Sequence, residues 1–539
     1  MRLTAIFLIL LISFAGCKDK VLTDEELLAF ADKVESDQFR YHVALLADDS
    51  MKGRLPGTPE YEKAMGYVVD QFEAFGLEPV GDNGSYLQHL TLRTVRVNPY
   101  HSHLLLGSDT LKAGSDYLYM GNANQKQQAV EAGVVFVGYG IEADTFGHND
   151  YAGIDVANKI VLVLLGAPET LPPSERAYFS NLSTKMQTAD AKGASGVLLI
   201  YPPNGRGSFE GASRRYSESG ITNVLMPSGL ADGRANLGEN LKIAGFYNME
   251  SLDRLIPGAM DSLLIKYEQG ELLQPGEELI LSGSVVSDWQ EFESANVLGL
   301  LEGTDLKDEY IIHTAHLDHV GIGEPVNGDS IYNGAHDNAS GISAMLEIAR
   351  LYTSMDSKPR RSVIFAAVTA EEMGLLGSKY LARNPPVPKE QVIANVNTDM
   401  PTLIAPLLSI EPLGAEHSSI MKHVQTNARL LNLQVNEDHM PEEVRFVRSD
   451  NYNFILEGVP ALRMKYGLKT EDSETGLDSL INTFTRNVYH KPSDEVDGLF
   501  DFEAARTYVK LQFMNSYKIS VDDERPKWNE DSFFRKFER

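Results

Sequence analysis

Apolar positions change their rhythm twice along the chain. Over residues 23–78 they recur every three to four positions, the spacing of an amphipathic helix. Residues 61–75 show this best and end at Gly76, while Thr23-Asp24-Glu25-Glu26 has the residue types of an N-terminal cap. A turn-rich stretch interrupts them, Leu46-Ala47-Asp48-Asp49 followed by Gly53-Arg54-Leu55-Pro56-Gly57, and residues 86–97 then alternate as a strand does. From about residue 126 the pattern becomes short continuous apolar runs. Examples are Gly133-Val134-Val135-Phe136-Val137-Gly138-Tyr139-Gly140, Lys159-Ile160-Val161-Leu162-Val163-Leu164-Leu165 and Gly193-Ala194-Ser195-Gly196-Val197-Leu198-Leu199-Ile200. Loops rich in Gly, Pro, Ser and Asn, such as residues 202–206, separate them. These runs predict a small β-rich domain inserted into a larger one. From about residue 280 strand and helix patterns alternate. Strands are predicted at 295–301, 310–314, 362–368, 392–397 and 461–465, and helices at 340–353, 376–383, 418–431, 451–456 and 502–517. Such alternation predicts an α/β fold with a mixed, largely parallel sheet flanked by helices. Sites in such sheets lie at the carboxyl ends of the strands.

Length and charge narrow the classes. With 539 residues the chain exceeds one compact domain. A hydrophobic share of 43% and a charged share of 23% are those of a globular protein, and a net charge of −28 argues against nucleic acid as a partner. Arg2 precedes an apolar run over residues 3–14 that ends in Phe14-Ala15-Gly16-Cys17. Small residues before a cysteine resemble the lipobox of bacterial lipoproteins. Residues 1–17 are therefore expected to be a lipoprotein signal peptide, with Cys17 as the lipid anchor of an exported protein in the bacterial cell envelope. The anchor is the expected membrane contact, since no other run is long enough to span a bilayer. Cys17 is the only cysteine, so the body of the chain has no thiolate for catalysis or metal binding.

The predicted strand ends carry the chemistry. Strand 310–314 runs into His316-Leu317-Asp318-His319. Gly334-Ala335-His336-Asp337-Asn338-Ala339-Ser340-Gly341 leads into the helix that begins near Ser340. Strand 362–368 ends in Thr369-Ala370-Glu371-Glu372-Met373-Gly374, and strand 392–397 in Thr398-Asp399-Met400. Tyr489-His490-Lys491-Pro492-Ser493-Asp494 follows near the end of the sheet region. Taken singly, these are an ion pair, a solvated Glu pair and turn caps. Together they offer His and carboxylate groups from several strand ends, the donor set of a zinc site with an open position.

In this order, over residues 295–494, the motifs His-x-Asp, Gly-Ala-x-Asp-Asn-x-Ser-Gly, Glu-Glu-x-Gly-Leu-x-Gly-Ser, Asn-x-Asp-Met and Tyr-His-x-Pro-x-Asp resemble the co-catalytic di-zinc aminopeptidase family, related to glutamate carboxypeptidase and the Vibrio-type leucine aminopeptidases. The resemblance implies the zinc exopeptidase fold and two Zn²⁺ ions per chain. His316 and Asp399 would hold one ion, Glu372 and His490 the other, and Asp337 would bridge them. Glu371 would be the general base, and Asp318 would fix the tautomer of His316. Tyr489 would either hydrogen-bond the oxyanion or simply pack. His319 and His336 would be peripheral. Ser449 would either bond a ligating carboxylate or cap the helix at Asn451.

The runs at 133–140, 159–165 and 193–200 resemble the protease-associated domain found inside many exopeptidases. The expected layout is an N-terminal part of the peptidase domain at 18–125, the insertion at 126–265 and the main peptidase domain at 266–539. The implied activity is zinc-dependent removal of N-terminal residues from peptides. A carboxypeptidase acting on acidic substrates is an alternative, because Arg445, Arg448, Arg463 and Lys465 fall near the expected site and could hold a substrate carboxylate. A glutaminyl-cyclase-like acyltransferase and a non-catalytic binding protein are further alternatives. The complete set of ligands and base counts against both. Oligomeric state is not legible in the sequence.

Overall fold

The computed structural model describes residues 21–202, 208–276, 279–469, 477–496 and 499–539. The expected signal peptide and Cys17 lie outside these residues, as does most of the loop at 202–206.

The amino-terminal helices form where the sequence places them. In α1 (Asp24–Ala31), Thr23 accepts the Glu26 amide while the Glu26 side chain accepts the Thr23 amide, so two orphan donors are satisfied reciprocally. Helix α2 (Ser36–Leu46) follows. Helix α3 (Pro59–Phe75) starts with Thr58 as cap and a proline in its first turn. It stops at Gly76, whose left-handed φ of 72° suits a residue without Cβ. Its buried face, Tyr61, Ala64, Met65, Val68 and Phe72, keeps the three-to-four spacing seen in the sequence.

The main sheet is built from β1 (Leu87–Val97), β2 (Ile280–Leu301), β3 (Leu306–His316), β4 (Arg361–Val368), β5 (Val392–Asn397), β6 (Ser409–Leu413) and β7 (Ala461–Tyr466). Hydrogen bonding gives the order β1, β2, β4, β3, β5, β7, β6. Strands β4, β3, β5 and β7 are parallel, and antiparallel strands flank them on both sides. The connecting helices are α4 (Ser340–Thr353), α5 (Leu376–Arg383), α6 (Met421–Leu430) and α7 (Asn451–Leu456), and α8 (Phe502–Val521) closes the domain. Alternate residues of the central strands enter different cores. Val363, Phe365 and Ala367 pack with α1 to α4 and α8, whereas Ile364, Ala366 and Val368 pack with α5 and α7. The sheet is therefore buried on both faces, and its strands read as unbroken apolar runs. The observed elements match the expected α/β architecture. The register sets His316 beside Val368 and Thr314 beside Asn397, so three strand ends finish level on one edge.

The segment expected to be β-rich contains a second sheet and helices of its own. Gln127–Phe136, Ile160–Leu164, Gly196–Tyr201 and Ile243–Asn248 are parallel neighbours. Pro173–Ser180, Leu182–Ala191 and Phe209–Glu218 are helical. The hydrogen bonding does not break at the expected boundaries. Ile221–Leu225 pairs with β1, and the first part of β2 pairs with 127–133 before the rest joins the main sheet. One strand of 22 residues thus runs through both sheets. Among the described residues no helix is long and apolar enough to cross a membrane.

Candidate metal centre

Beyond the level ends of β3, β4 and β5, four loops converge. His316 is the last residue of β3 and is buried. Its Nε2 lies 3.2 Å from Asp337 Oδ1 and 3.6 Å from Asp399 Oδ1. On the other side, His490 Nε2 lies 3.1 Å from Asp337 Oδ2 and 3.1 Å from Glu372 Oε1. The two oxygens of Asp337 therefore face two different groups. One group is His316, Glu371 and Asp399; the other is His319, Asp337, Glu372 and His490, and in each the ligand atoms lie within 4.8 Å of one another.

The loops are locked by side chains that bond to backbone. Asn338 Nδ2 donates to Thr398 O at 3.0 Å, and its Oδ1 accepts the amides of Gly341 and Met400. This joins the loop of Asp337 to that of Asp399. A Cβ on residue 341 would sit 2.2 Å from Asn338 Oδ1, which explains the glycine. Asp494 accepts the amides of His336 at 2.9 Å and Asp337 at 3.1 Å, so the segment that carries His490 also holds the backbone of Asp337.

Asp318 acts differently from the sequence expectation. His316 Nδ1 hydrogen-bonds the backbone carbonyl of Asp318 at 3.1 Å, while the nearer carboxylate oxygen is 4.0 Å away. The carboxylate instead accepts the amides of Glu371 at 3.1 Å and Glu372 at 3.3 Å. It orients the Glu-Glu turn, and the tautomer of His316 is set by main chain. His319 is not peripheral: it is buried, and its Nδ1 lies 3.0 Å from Glu372 Oε1. His336 stands apart. It stacks on Phe500 with ring centres 3.7 Å apart, and burial lowers its pKa to about 3, so it is a neutral core residue. Ser449 accepts from Asn397 Nδ2 at 2.6 Å, so neither role considered for it is seen. His319, Asn338 and Asp494 were legible only as residue types. Their contacts come from loops far apart in sequence.

The centre opens into a cleft of about 930 Å³ counted to its mouth. Glu371, Tyr489, Arg445, Arg448, Arg463 and Lys465 all line it. The Tyr489 ring lies against His490, with centres 4.0 Å apart, and burial raises its phenol pKa. Burial, reinforced by Asp399 and Glu372 against the pull of His316, holds the Glu371 carboxyl well above the usual range. Burial would lower the pKa of His490, but Asp337 and Glu372 raise it to about 11. His316 is likewise raised well above its ordinary value, despite burial, by Glu371, Asp337 and Asp399.

Residues 296–512 match the family model of peptidase family M28. The chain carries a peptidase family M28 domain. Among curated proteins, "Probable glutamate carboxypeptidase AMP1" of Arabidopsis thaliana is 23% identical over 460 residues, covering 79% of this chain. The match spans 61% of that relative, about three-fifths of its length. "Aminopeptidase YwaD" of Bacillus subtilis (strain 168) is 33% identical over 142 residues, 25% of this chain and 28% of the relative. Among solved structures, the aminopeptidase from Aneurinibacillus sp. strain AM-1 superposes with a TM-score of 0.51 at 18% identity, covering 94% of this chain and 99% of the other. That last likeness is one of fold.

The donor set of this M28 domain fits two zinc ions. Zn–N and Zn–O bonds of about 2.0–2.2 Å in tetrahedral geometry set neighbouring ligand atoms about 3.3–3.5 Å apart. The four distances among His316, Asp337, Glu372, Asp399 and His490 run from 3.1 to 3.6 Å. So many carboxylates in a half-buried site need positive charge nearby, because an unpaired buried charge is costly.

In the metal-free protein the raised pKa of His490, about 11, keeps that ring protonated at neutral pH, and Glu371, Asp337 and Asp399 shift His316 in the same direction against its burial. Zinc must displace those protons, so its affinity falls as pH falls. Titration calorimetry of the metal-free protein at pH 7.5, repeated in buffers of different ionisation enthalpy, should show net release of about one to two protons per chain. Release of none would show that the histidines are not ligands.

Proposed function

We propose that this protein is a zinc-dependent exopeptidase, most simply an aminopeptidase that removes N-terminal residues from peptides. The observation that carries the reading is the shared carboxylate: Asp337 presents one oxygen to His316 and the other to His490, at 3.2 and 3.1 Å. His316, Asp337, Glu372, Asp399 and His490 would hold two zinc ions, which would supply Lewis acidity to a scissile carbonyl and lower the pKa of a bound water.

The side chains do the rest. Glu371 lines the cleft beside the ligand groups, and its amide is fixed by Asp318. In this reading it takes a proton from the attacking water and delivers it to the leaving amine. A carboxyl that burial holds above its ordinary pKa is suited to carrying that proton. Glu372 is bound to His319 and His490 instead, which lets two adjacent glutamates serve different ends. Tyr489 lines the same cleft, and in this reading it donates to the developing oxyanion.

Cleavage of acidic substrates is a second reading, and one observation favours it. Arg445 is engaged by Glu411 and Asp438, Arg463 by Asp399 at 2.8 Å, and Arg448 faces Glu443 at 3.4 Å. Lys465, by contrast, is buried and donates only to Met400 O and Thr402 Oγ1, with no ion-pair partner among the described residues. Burial, then Arg463, holds its pKa well below the ordinary lysine value. A substrate carboxylate would provide the missing counter-charge.

We also propose export and lipid anchoring at Cys17, supported by the small residues that precede it. Mass spectrometry of the membrane fraction should find the wild type processed and lipid-modified at Cys17, and Cys17→Ala without the lipid; wild type with an unmodified Cys17 would refute the anchor. The activity is tested with zinc-loaded protein on apolar and acidic aminoacyl-anilides and on dipeptides blocked at either end. Cleavage that requires a free α-amine supports the aminopeptidase reading. Cleavage that requires a free C-terminal carboxylate supports the second, and no cleavage refutes both. Glu371→Gln should lower kcat by at least about 100-fold with both zinc ions retained. Full activity in that variant would remove Glu371 as the base.

A further inference from the structure

The turn at 52–57 delivers one side chain to the floor of the metal centre. Arg54 is wholly buried. It has no ion-pair partner among the described residues, which is unusual for a buried guanidinium. Instead it donates to four backbone carbonyls: Nε to Leu317 at 2.8 Å, Nη1 to Leu46 at 2.5 Å and Asn333 at 2.7 Å, and Nη2 to Gly334 at 3.0 Å. Leu317 stands between His316 and Asp318, while Asn333 and Gly334 lead into Asp337. One guanidinium therefore spans the two loops that supply the bridging carboxylate and its histidine.

The surrounding backbone is shaped to let it through. Gly53 has φ 68°, and a Cβ there would sit 2.3 Å from Tyr332 O. The carbonyls of Gly53 and Arg54 accept the amides of Gly321 and His319. Asn333 reaches back from the second loop to Ala47 O at 2.8 Å and Asp49 Oδ1 at 2.9 Å. The charge matters as well as the bonds. Asp494, Asp318, Asp337 and Glu372 are the anionic groups whose fields act on Arg54, and each belongs to the centre or supports it.

We propose that Arg54 is a positioning residue of the metal centre: a fixed cation whose fork of donors holds the His316 loop against the Asp337 loop at the spacing the metal pair requires. A planar fork can reach four carbonyls in fixed directions, whereas a lysine ammonium has three donors at one point. Residues that orient metal ligands from outside the coordination sphere change affinity by about 10 to 100-fold when lost. The inference rests on the reading of the site as a two-zinc centre.

The test compares wild type, Arg54→Lys and Arg54→Met, each stripped of metal. Zinc affinity is measured by competition with a chromogenic chelator, and melting temperature with and without zinc. Both variants should bind zinc at least about 10-fold more weakly than wild type at one site or both. Their zinc-dependent rise in melting temperature should shrink. Restoring zinc to saturation should leave KM near wild type and kcat reduced, because the ligands are held less closely. A role in folding alone would lower the melting temperature equally with and without zinc and leave affinity unchanged. Zinc affinity within about twofold of wild type in both variants overturns the proposal. Failure of both to fold also overturns it, since a clamp on the site predicts a foldable metal-free chain. If wild type itself does not bind two zinc ions, the two-zinc reading fails, and the comparison among variants then has no site to act on and refutes the proposal with it. Binding by wild type with no loss in the variants refutes the proposal alone.

Discussion

The carboxylate of Asp337 sits between two imidazoles, and the rest of the centre is arranged around that contact. Its two oxygens cannot face both histidines unless the loops after β3 and before α4 are held in one relative position. Three devices supply that constraint, each through backbone. Arg54 holds the loops from below, Asn338 ties them to the Asp399 loop, and Asp494 fixes the amides of residues 336 and 337. Backbone acceptors and donors suit this task. They do not compete with the ligand atoms, and they leave side-chain oxygens free for metal.

The same constraint sets the electrostatics. Asp337, Glu371, Glu372 and Asp399 line one cleft. Without cations, the histidines take up protons and Glu371 is driven toward its neutral form. Metal binding is then an exchange of protons for dications, and the fold prepares for it by fixing the ligands before the ions arrive. Arg445, Arg463 and Lys465 line the same cleft, and Arg463 touches Asp399 at 2.8 Å. Two of the three are held by protein carboxylates, and Lys465 has no carboxylate partner among the described residues.

Much of this was legible in the sequence because it is local. The central strands and helices fall within a few residues of the predicted bounds, since strands buried on both faces leave unbroken apolar runs and helices such as α3 carry caps and stops. The ligand candidates His316, Asp337, Glu372, Asp399 and His490 were marked by motifs that resemble those of a known family, and the fold brings all five together. What was not legible depends on contacts between distant segments. Arg54 lies 263 residues from Leu317 and reads as part of a turn. His319 gave no sign that it would reach Glu372. Asp318 was expected to bond His316 through its side chain, but the chain turns so that its carbonyl does so. The boundaries of the inserted segment were blurred for a similar reason: a strand pairing such as 221–225 with β1 leaves no local mark.

With one oxygen toward His316 and the other toward His490, Asp337 would bridge two metal ions. Anomalous diffraction from crystals of the zinc-loaded protein, recorded on both sides of the zinc absorption edge, tests it most directly. Two peaks about 3.5–4 Å apart, one within bonding distance of each Asp337 oxygen, are predicted. A single peak, or two peaks that leave Asp337 uncoordinated, would contradict the account.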